Sequence, residues 1–185
     1  SIRYSPNDTK NVKDDVRYLN ESNIFTLNRM GDTESIEAGS TLTLGVDYEK
    51  YNSDNNNKIL GFNVASVFRD EKNDNLSTTS TLGQKQSDIV GGIYYSPINP
   101  LSLNYNFSLN NNLDTNNLHD LDITLNTNNF VTKFNFYEQN NEVGNNSYFS
   151  NEIKYLLDES NSLSFSTRKN KKNNLTEYYN LIYEY

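Results

Sequence analysis

The sequence runs to 185 residues, with a formal net charge of -8, 34% hydrophobic residues and a mean hydropathy of -0.82. Hydrophobic content below the roughly 45–50% of globular chains argues against an ordinary apolar core. The acidic balance argues against nucleic-acid binding, which needs clustered Lys and Arg. With no cysteine, this segment holds no disulfide and no thiolate metal site.

A polarity this high would by itself read as disorder, but 14 Tyr and 9 Phe contradict that. A chain that is polar yet rich in strand-forming aromatics is what alternating lipid-facing and water-facing residues produce. No apolar run approaches the roughly 18–20 residues of a transmembrane helix. Residues 1–22 are polar and charged throughout and carry no signal-peptide pattern. If the protein is exported, the sequence therefore starts downstream of its signal. It also stops inside a strand pattern at Tyr183, Glu184 and Tyr185, so the expectation is a fragment of a larger protein.

Taken in order, residues 1–39 read mostly as a long external or lumen-entering loop, and 40–185 as transmembrane hairpins of one partial barrel domain. Period-two alternation begins at 40–51, where Leu42, Leu44, Val46 and Tyr48 share a face. It continues through 58–70 (Leu60, Phe62, Val64, Phe68) and 88–97. The cleanest case is 101–110, where Leu101, Leu103, Tyr105, Phe107 and Leu109 alternate with small polar residues. A strand puts those two sets on opposite faces, whereas a helix scatters them. Similar patterns cover 118–127, 130–139, 148–158, 162–169 and 176–185. The reading is all-β: an antiparallel up-and-down meander of about nine strands. Their length, roughly ten residues, matches the ~9–11 that cross a bilayer when tilted. Soluble strands are shorter.

The connections near 52–57, 98–100, 128–129 and 159–161 read as short, and those near 71–87, 111–117, 139–147 and 170–175 as longer. Barrels of outer membranes show that asymmetry, with the longer loops outside. Asn-rich turns fit because Asn tolerates the left-handed region.

Candidate chemistry is sparse. His119, on the parity of Leu121 and Ile123 near a strand end, reads as an interfacial polar residue. Asp32, Glu34 and Glu37 lack the alternating Asp/Asn-plus-Gly pattern of a calcium loop. Asp120 and Asp122 share a polar face with no catalytic companion in view, which fits carboxylates lining a wet lumen. Tyr94, Tyr95, Tyr178 and Tyr179, near strand ends, read as an interfacial aromatic girdle. There is no GxSxG, HExxH or GxxxxGK[ST] motif. No catalytic, cofactor or metal site is expected, and the chain does not read as an enzyme.

The least generic stretch is 22–47, SNIFTLNRMGDTESIEAGSTLTLGVD. Its order of Asn-Ile-Phe, Asn-Arg, Gly-Asp, Ile-Glu, Gly and an alternating strand resembles the LptD family of lipopolysaccharide-assembly proteins. The run Gln86-Ser87-Asp88-Ile89-Val90-Gly91, followed by Tyr94, Tyr95 and Pro97, is similar to a strand opening of that family. One departure is Thr33-Glu34-Ser35, where the family has Asp-Arg after the loop glycine. The resemblance implies a 26-strand outer-membrane barrel plugged by an LptE-like lipoprotein, which inserts lipopolysaccharide into the outer leaflet. Its partners would be lipopolysaccharide, outer-membrane lipid and that lipoprotein, with no nucleic acid. Two alternatives share much of the pattern. A generic porin has the same alternation, and a soluble or surface-exposed β-sandwich adhesin would turn its apolar faces inward against a second sheet.

Overall fold

The structure, a computed structural model, describes residues 1–6, 10–14, 18–29, 37–141 and 144–185. Ten strands form one antiparallel sheet in sequence order: β1 (Ile2–Ser5), β2 (Gly39–Tyr51), β3 (Lys58–Arg69), β4 (Ile89–Ile98), β5 (Leu101–Leu109), β6 (Asn116–Thr127), β7 (Phe130–Asn141), β8 (Gly144–Leu156), β9 (Ser162–Asn170) and β10 (Leu175–Glu184). The nine expected strands are all present. The addition is β1, which lies inside the segment read as loop and pairs Ile2 with Leu42 and Ser5 with Gly39. Four residues are too few to show an alternation signal, so only the partner strand reveals it. The sheet does not close on itself: β1 and β10 are edges.

Register fixes two faces. One cross-strand row runs Tyr48, Phe62, Ile93, Tyr105, Leu121, Phe136 and Phe149. The neighbouring row on the other face runs Asp47, Asn63, Gly92, Asn106, Asp120, Tyr137 and Tyr148. A one-residue slip in any strand would mix the two. The apolar face has no second sheet against it: Leu44 is 54% exposed and Leu181 68%. A sandwich would bury these residues, so that alternative does not describe this fold.

Connections differ at the two ends of the sheet. One end has residues 52–57, 99–100, 128–129 and 157–161. The other has 6–38, 70–88, 110–115 and 171–174, together with the turn from β7 to β8. The long loop expected at 139–147 is instead mostly strand, because β7 and β8 pair as far as Asn141 and Gly144. That stretch is polar on both faces, which hid its strand pattern. The asymmetry therefore rests mainly on 6–38 and 70–88. Asn56 (φ 54) and Asn174 (φ 51) take the left-handed turn positions, where an Asn side chain costs least among residues with a Cβ. In β4 the pairing with β5 shifts between Tyr95 and Ile98, the stretch holding Pro97, which has no N–H to give the ladder.

The buried apolar cluster lies on the polar face. Leu19 and Ile24, together with Leu76 and Leu82, pack over Ala65, Val67 and Val90 of β3 and β4. Two connections, 18–29 and 70–88, thus form a cover over part of the polar face. They interlock: the Leu19 N–H donates to Ser80 Oγ at 2.9 Å and the Val12 N–H to Asn75 O at 2.8 Å. No described helix is long and apolar enough to cross a membrane.

Candidate functional site

The polar face begins as a run of small and charged side chains facing one way because of strand parity. At its β2–β4 end the side chains are minimal, and the cover approaches closely. A Cβ on Gly45 would lie 2.7 Å from Phe25 Cζ, and one on Gly92 would lie 2.5 Å from Glu21 Oε2. These two glycines admit the 18–29 segment, since any side chain there would displace it. Glu21 also accepts from Asn63 Nδ2 at 2.9 Å. Asn20 closes the turn beneath, its Oδ1 accepting the Ser22 N–H at 2.9 Å.

A buried ionic knot fastens the cover. The Glu37 carboxylate receives Arg29 Nε at 3.0 Å, Arg3 Nη2 at 3.3 Å and the Arg69 Nη2 group. Arg29 also donates to Thr41 Oγ1 at 3.0 Å and Thr43 Oγ1 at 3.3 Å, and it is 3% exposed. Arg69 reaches Leu82 O at 2.7 Å and Ala38 O at 3.3 Å, tying β3 to both covering connections. Burial, opposed by the Glu37 charge, pushes the Arg29 guanidinium down to about 10. It stays protonated at neutral pH, so the ion pair persists. Paired charges of this kind hold a fixed geometry because each guanidinium nitrogen of Arg29 and Arg69 and both Glu37 oxygens are engaged.

Beyond the cover the polar face is open and hydrated in character. A hollow of about 200 Å3 is lined by Glu21, Asp47, Glu49, Lys58 and Tyr94, among others. Asn135 Nδ2 bridges Asp120 and Asp122 at 3.0 Å each. Toward β10 the face carries the ion pairs Lys133–Glu152 (3.6 Å), Lys154–Glu184 (2.5 Å) and Arg168–Glu177 (2.7 Å). Arg168 also lies 3.8 Å from the Tyr148 ring centroid. Half-exposed pairs like these add little to stability, because solvent screens them. They keep the wall polar while limiting its net charge.

The residues singled out from sequence divide as follows. His119 lies on the apolar face, in register with Phe107 and Glu138, with its Nδ1 2.6 Å from the Tyr105 hydroxyl. It therefore shares no face with Asp120 and Asp122. Asp32 and Glu34 lie outside the described residues. Glu37 faces arginines, an arrangement opposite to a cation site, and no group of carboxylates and histidines able to hold a metal occurs among the described residues. The tyrosine girdle needs correcting. Tyr95 and Tyr179 face the apolar side, but their neighbours Tyr94 and Tyr178 pair within the polar rows, as adjacent residues on a strand must. Sequence reading missed the Arg29–Glu37–Arg69 knot. Arg69, on the polar parity of an otherwise apolar strand end, was the available signal, as were Leu19, Leu76 and Leu82 within segments read as loops.

A search of curated proteins finds no match. A model of one protein family, LptD, described as LPS transport system D, matches residues 3–173. That span covers the cover segment, its knot, most of β1 and the whole of β2–β9, and the two faces are what a strand-built membrane wall needs. The chain belongs to the LptD family.

Proposed function

We propose that the chain forms a section of the wall of an outer-membrane β-barrel that carries lipopolysaccharide to the outer leaflet. The observation that carries this reading is the separation of faces, held in register from β2 to β10. The apolar face meets lipid. The polar face lines a hydrated lumen, partly filled at the β2–β4 end by residues 18–29. Strand pairing satisfies the backbone groups, which hydrocarbon demands because each unpaired one costs several kcal/mol. Further strands pair with the free edges of β1, β2 and β10, and a lipoprotein occupies the remaining lumen. Apart from β1, residues 1–39 serve as a lumenal or external segment, and 40–185 as transmembrane hairpins of this one barrel domain.

Transport here is non-covalent. The sole histidine is turned to lipid, and the lumenal carboxylates Asp120 and Asp122 are bound by an amide. The wall supplies hydration for a glycan on one side and a surface for acyl chains on the other.

The test follows pulse-labelled lipopolysaccharide in cells in which the full-length protein is depleted and restored. Depletion should stop labelled lipopolysaccharide reaching the outer leaflet while its synthesis continues, and the protein should fractionate with the outer membrane. Normal delivery in depleted cells, with only passive conductance lost, would favour the porin alternative and overturn the proposal.

A further inference from the structure

The hollow on the polar face of β2–β5 is a place where the wall leaves hydrogen-bonding groups unused. It lies between two cross-strand rows, one running Asp47, Asn63, Gly92 and Asn106, the next Glu49, Gly61, Tyr94 and Asn104. Gly61 and Gly92 bring no side chain to it, and a space of about 200 Å3 remains above them. Lys58 crosses over Gly61 to reach Glu49 at 2.5 Å. Over Gly92 two acceptors converge: a Cβ there would stand 2.5 Å from Glu21 Oε2 and 2.9 Å from Asn106 Oδ1. Glu21 takes one donor, Asn63 Nδ2 at 2.9 Å. The side chains of Asp47, Asn104 and Asn106 and the Tyr94 hydroxyl have no hydrogen-bond partner among the described residues, to which the whole lining belongs. Farther along the same face the charged groups are matched. Asn135 holds Asp120 and Asp122, and the ion pairs follow toward β10.

The lining groups decide what fits. Glu21, Asp47 and Glu49 outnumber Lys58, so a phosphate or another anion is repelled. A divalent cation needs several carboxylate oxygens converging on one point. Here Glu21 is held by Asn63, and Glu49 by Lys58 and Tyr51; no carboxylate and histidine group able to hold a metal occurs among the described residues. Amides and a tyrosine hydroxyl both donate and accept, and a carboxylate accepts. A ring bearing several hydroxyls can answer all of them at once, because each hydroxyl also does both. The space equals about six or seven waters at ~30 Å3 each, room for a single small ring. We propose that this hollow is a subsite for one uncharged sugar ring, held above Gly92 by Asp47, Asn104, Asn106 and Tyr94. This rests on the barrel reading above, in which the polar face lines a lumen. It adds a place where a sugar unit of a glycan chain, or a free sugar, is held. A site this open holds its ligand weakly, and a unit that enters can leave again.

The experiment is saturation-transfer NMR on the full-length protein in nanodiscs, with empty nanodiscs subtracted. The probes are the methyl glycosides of glucose, galactose and mannose, the neutral trisaccharide maltotriose, and glucose 6-phosphate. Wild type should transfer saturation to at least one neutral probe and not to glucose 6-phosphate. Combined Asn104→Ala and Asn106→Ala should weaken that binding at least about fivefold, the effect of one lost hydrogen bond. Binding of maltotriose as well supports a chain unit as the ligand, and binding of methyl glycosides alone supports a free sugar. No transfer to any neutral probe overturns the proposal, as does equal binding by the Ala variant, or glucose 6-phosphate bound as well as a neutral probe. If heat-modifiability shows that the Ala variant fails to fold, side-chain amide resonances of wild type decide. Sugar should shift the Asn106 amide and leave that of Asn135, already bonded twice, in place; no shift at Asn106 overturns the subsite. Delivery of labelled lipopolysaccharide in cells is followed in parallel. Its failure to depend on the protein overturns the barrel reading, whereas dependent delivery without sugar binding overturns the subsite alone.

Discussion

Replacing Glu37 by Gln should release the cover from the polar face while leaving the sheet folded. The carboxylate is the shared partner of Arg29 and Arg69, whose side chains are 0% and 2% exposed. Its removal leaves two buried guanidiniums facing each other without compensation, a situation that costs about 3–5 kcal/mol. Against this, Leu19 and Ile24, both essentially buried, hold the segment with about 1.5–3 kcal/mol each. The loss is of the same order as the retention. The open population should therefore rise by roughly two to four orders of magnitude. Hydrogen exchange on the full-length protein in nanodiscs would read this directly, as faster exchange of peptides spanning 18–29 and unchanged exchange across 101–109. Arg29→Met should cost less than Glu37→Gln, because Glu37 would still pair with Arg69 and Arg3. If shape alone held the segment, the bulkier deletion at Arg29 would cost more. Unchanged protection of 18–29 in a folded Glu37→Gln barrel, or the reverse ranking, would refute the reasoning.

Leu121→Arg, mid-strand on the apolar face, should destabilise the barrel by about 2–4 kcal/mol in lipid vesicles. Asn104→Arg on the polar face should shift the urea midpoint far less, and equal shifts would deny the two-faced wall. Gly45→Leu would force a side chain to within 2.7 Å of Phe25 and 2.9 Å of Ala65 Cβ. An overpacking cost of about 1–3 kcal/mol should appear as exposure of 18–29 to protease, and an unaltered digestion pattern would speak against the close approach. The Asp158 carboxyl is held below the usual carboxylate range, first by the Asn161 side chain and then by the Ser160 N–H. A lowered folded value means that the turn's stabilisation is present above the ordinary carboxylate range and fades as pH falls through the lowered value. Carboxyl NMR in micelles should show an Asp158 inflection below 3.8 that returns toward 3.8 in Asn161→Ala.

Alternation by itself determined nine of the ten strands and both faces, because a side-chain period of two is a local property that each strand carries independently. Leu101 to Leu109 needs no partner to reveal which residues share a side. Turn chemistry was equally local, as Asn56 and Asn174 illustrate. The family resemblance of 22–47 was legible for the same reason, as a contiguous pattern. What the sequence could not display was anything built from residues far apart. β1 is too short to announce itself and exists through β2. Arg69 and Glu37, 32 positions apart, meet only when β3 and the segment leading into β2 are laid side by side. Leu19, Ile24, Leu76 and Leu82 look like stray apolar residues in polar loops until those loops fold onto Ala65, Val67 and Val90. Residues of Tyr94–Tyr95 and Tyr178–Tyr179 shared a neighbourhood in sequence, but the sheet divided them between two solvents. The meander was thus written in short-range periodicity. Its filled interior came from long-range register, which only the assembled sheet defines.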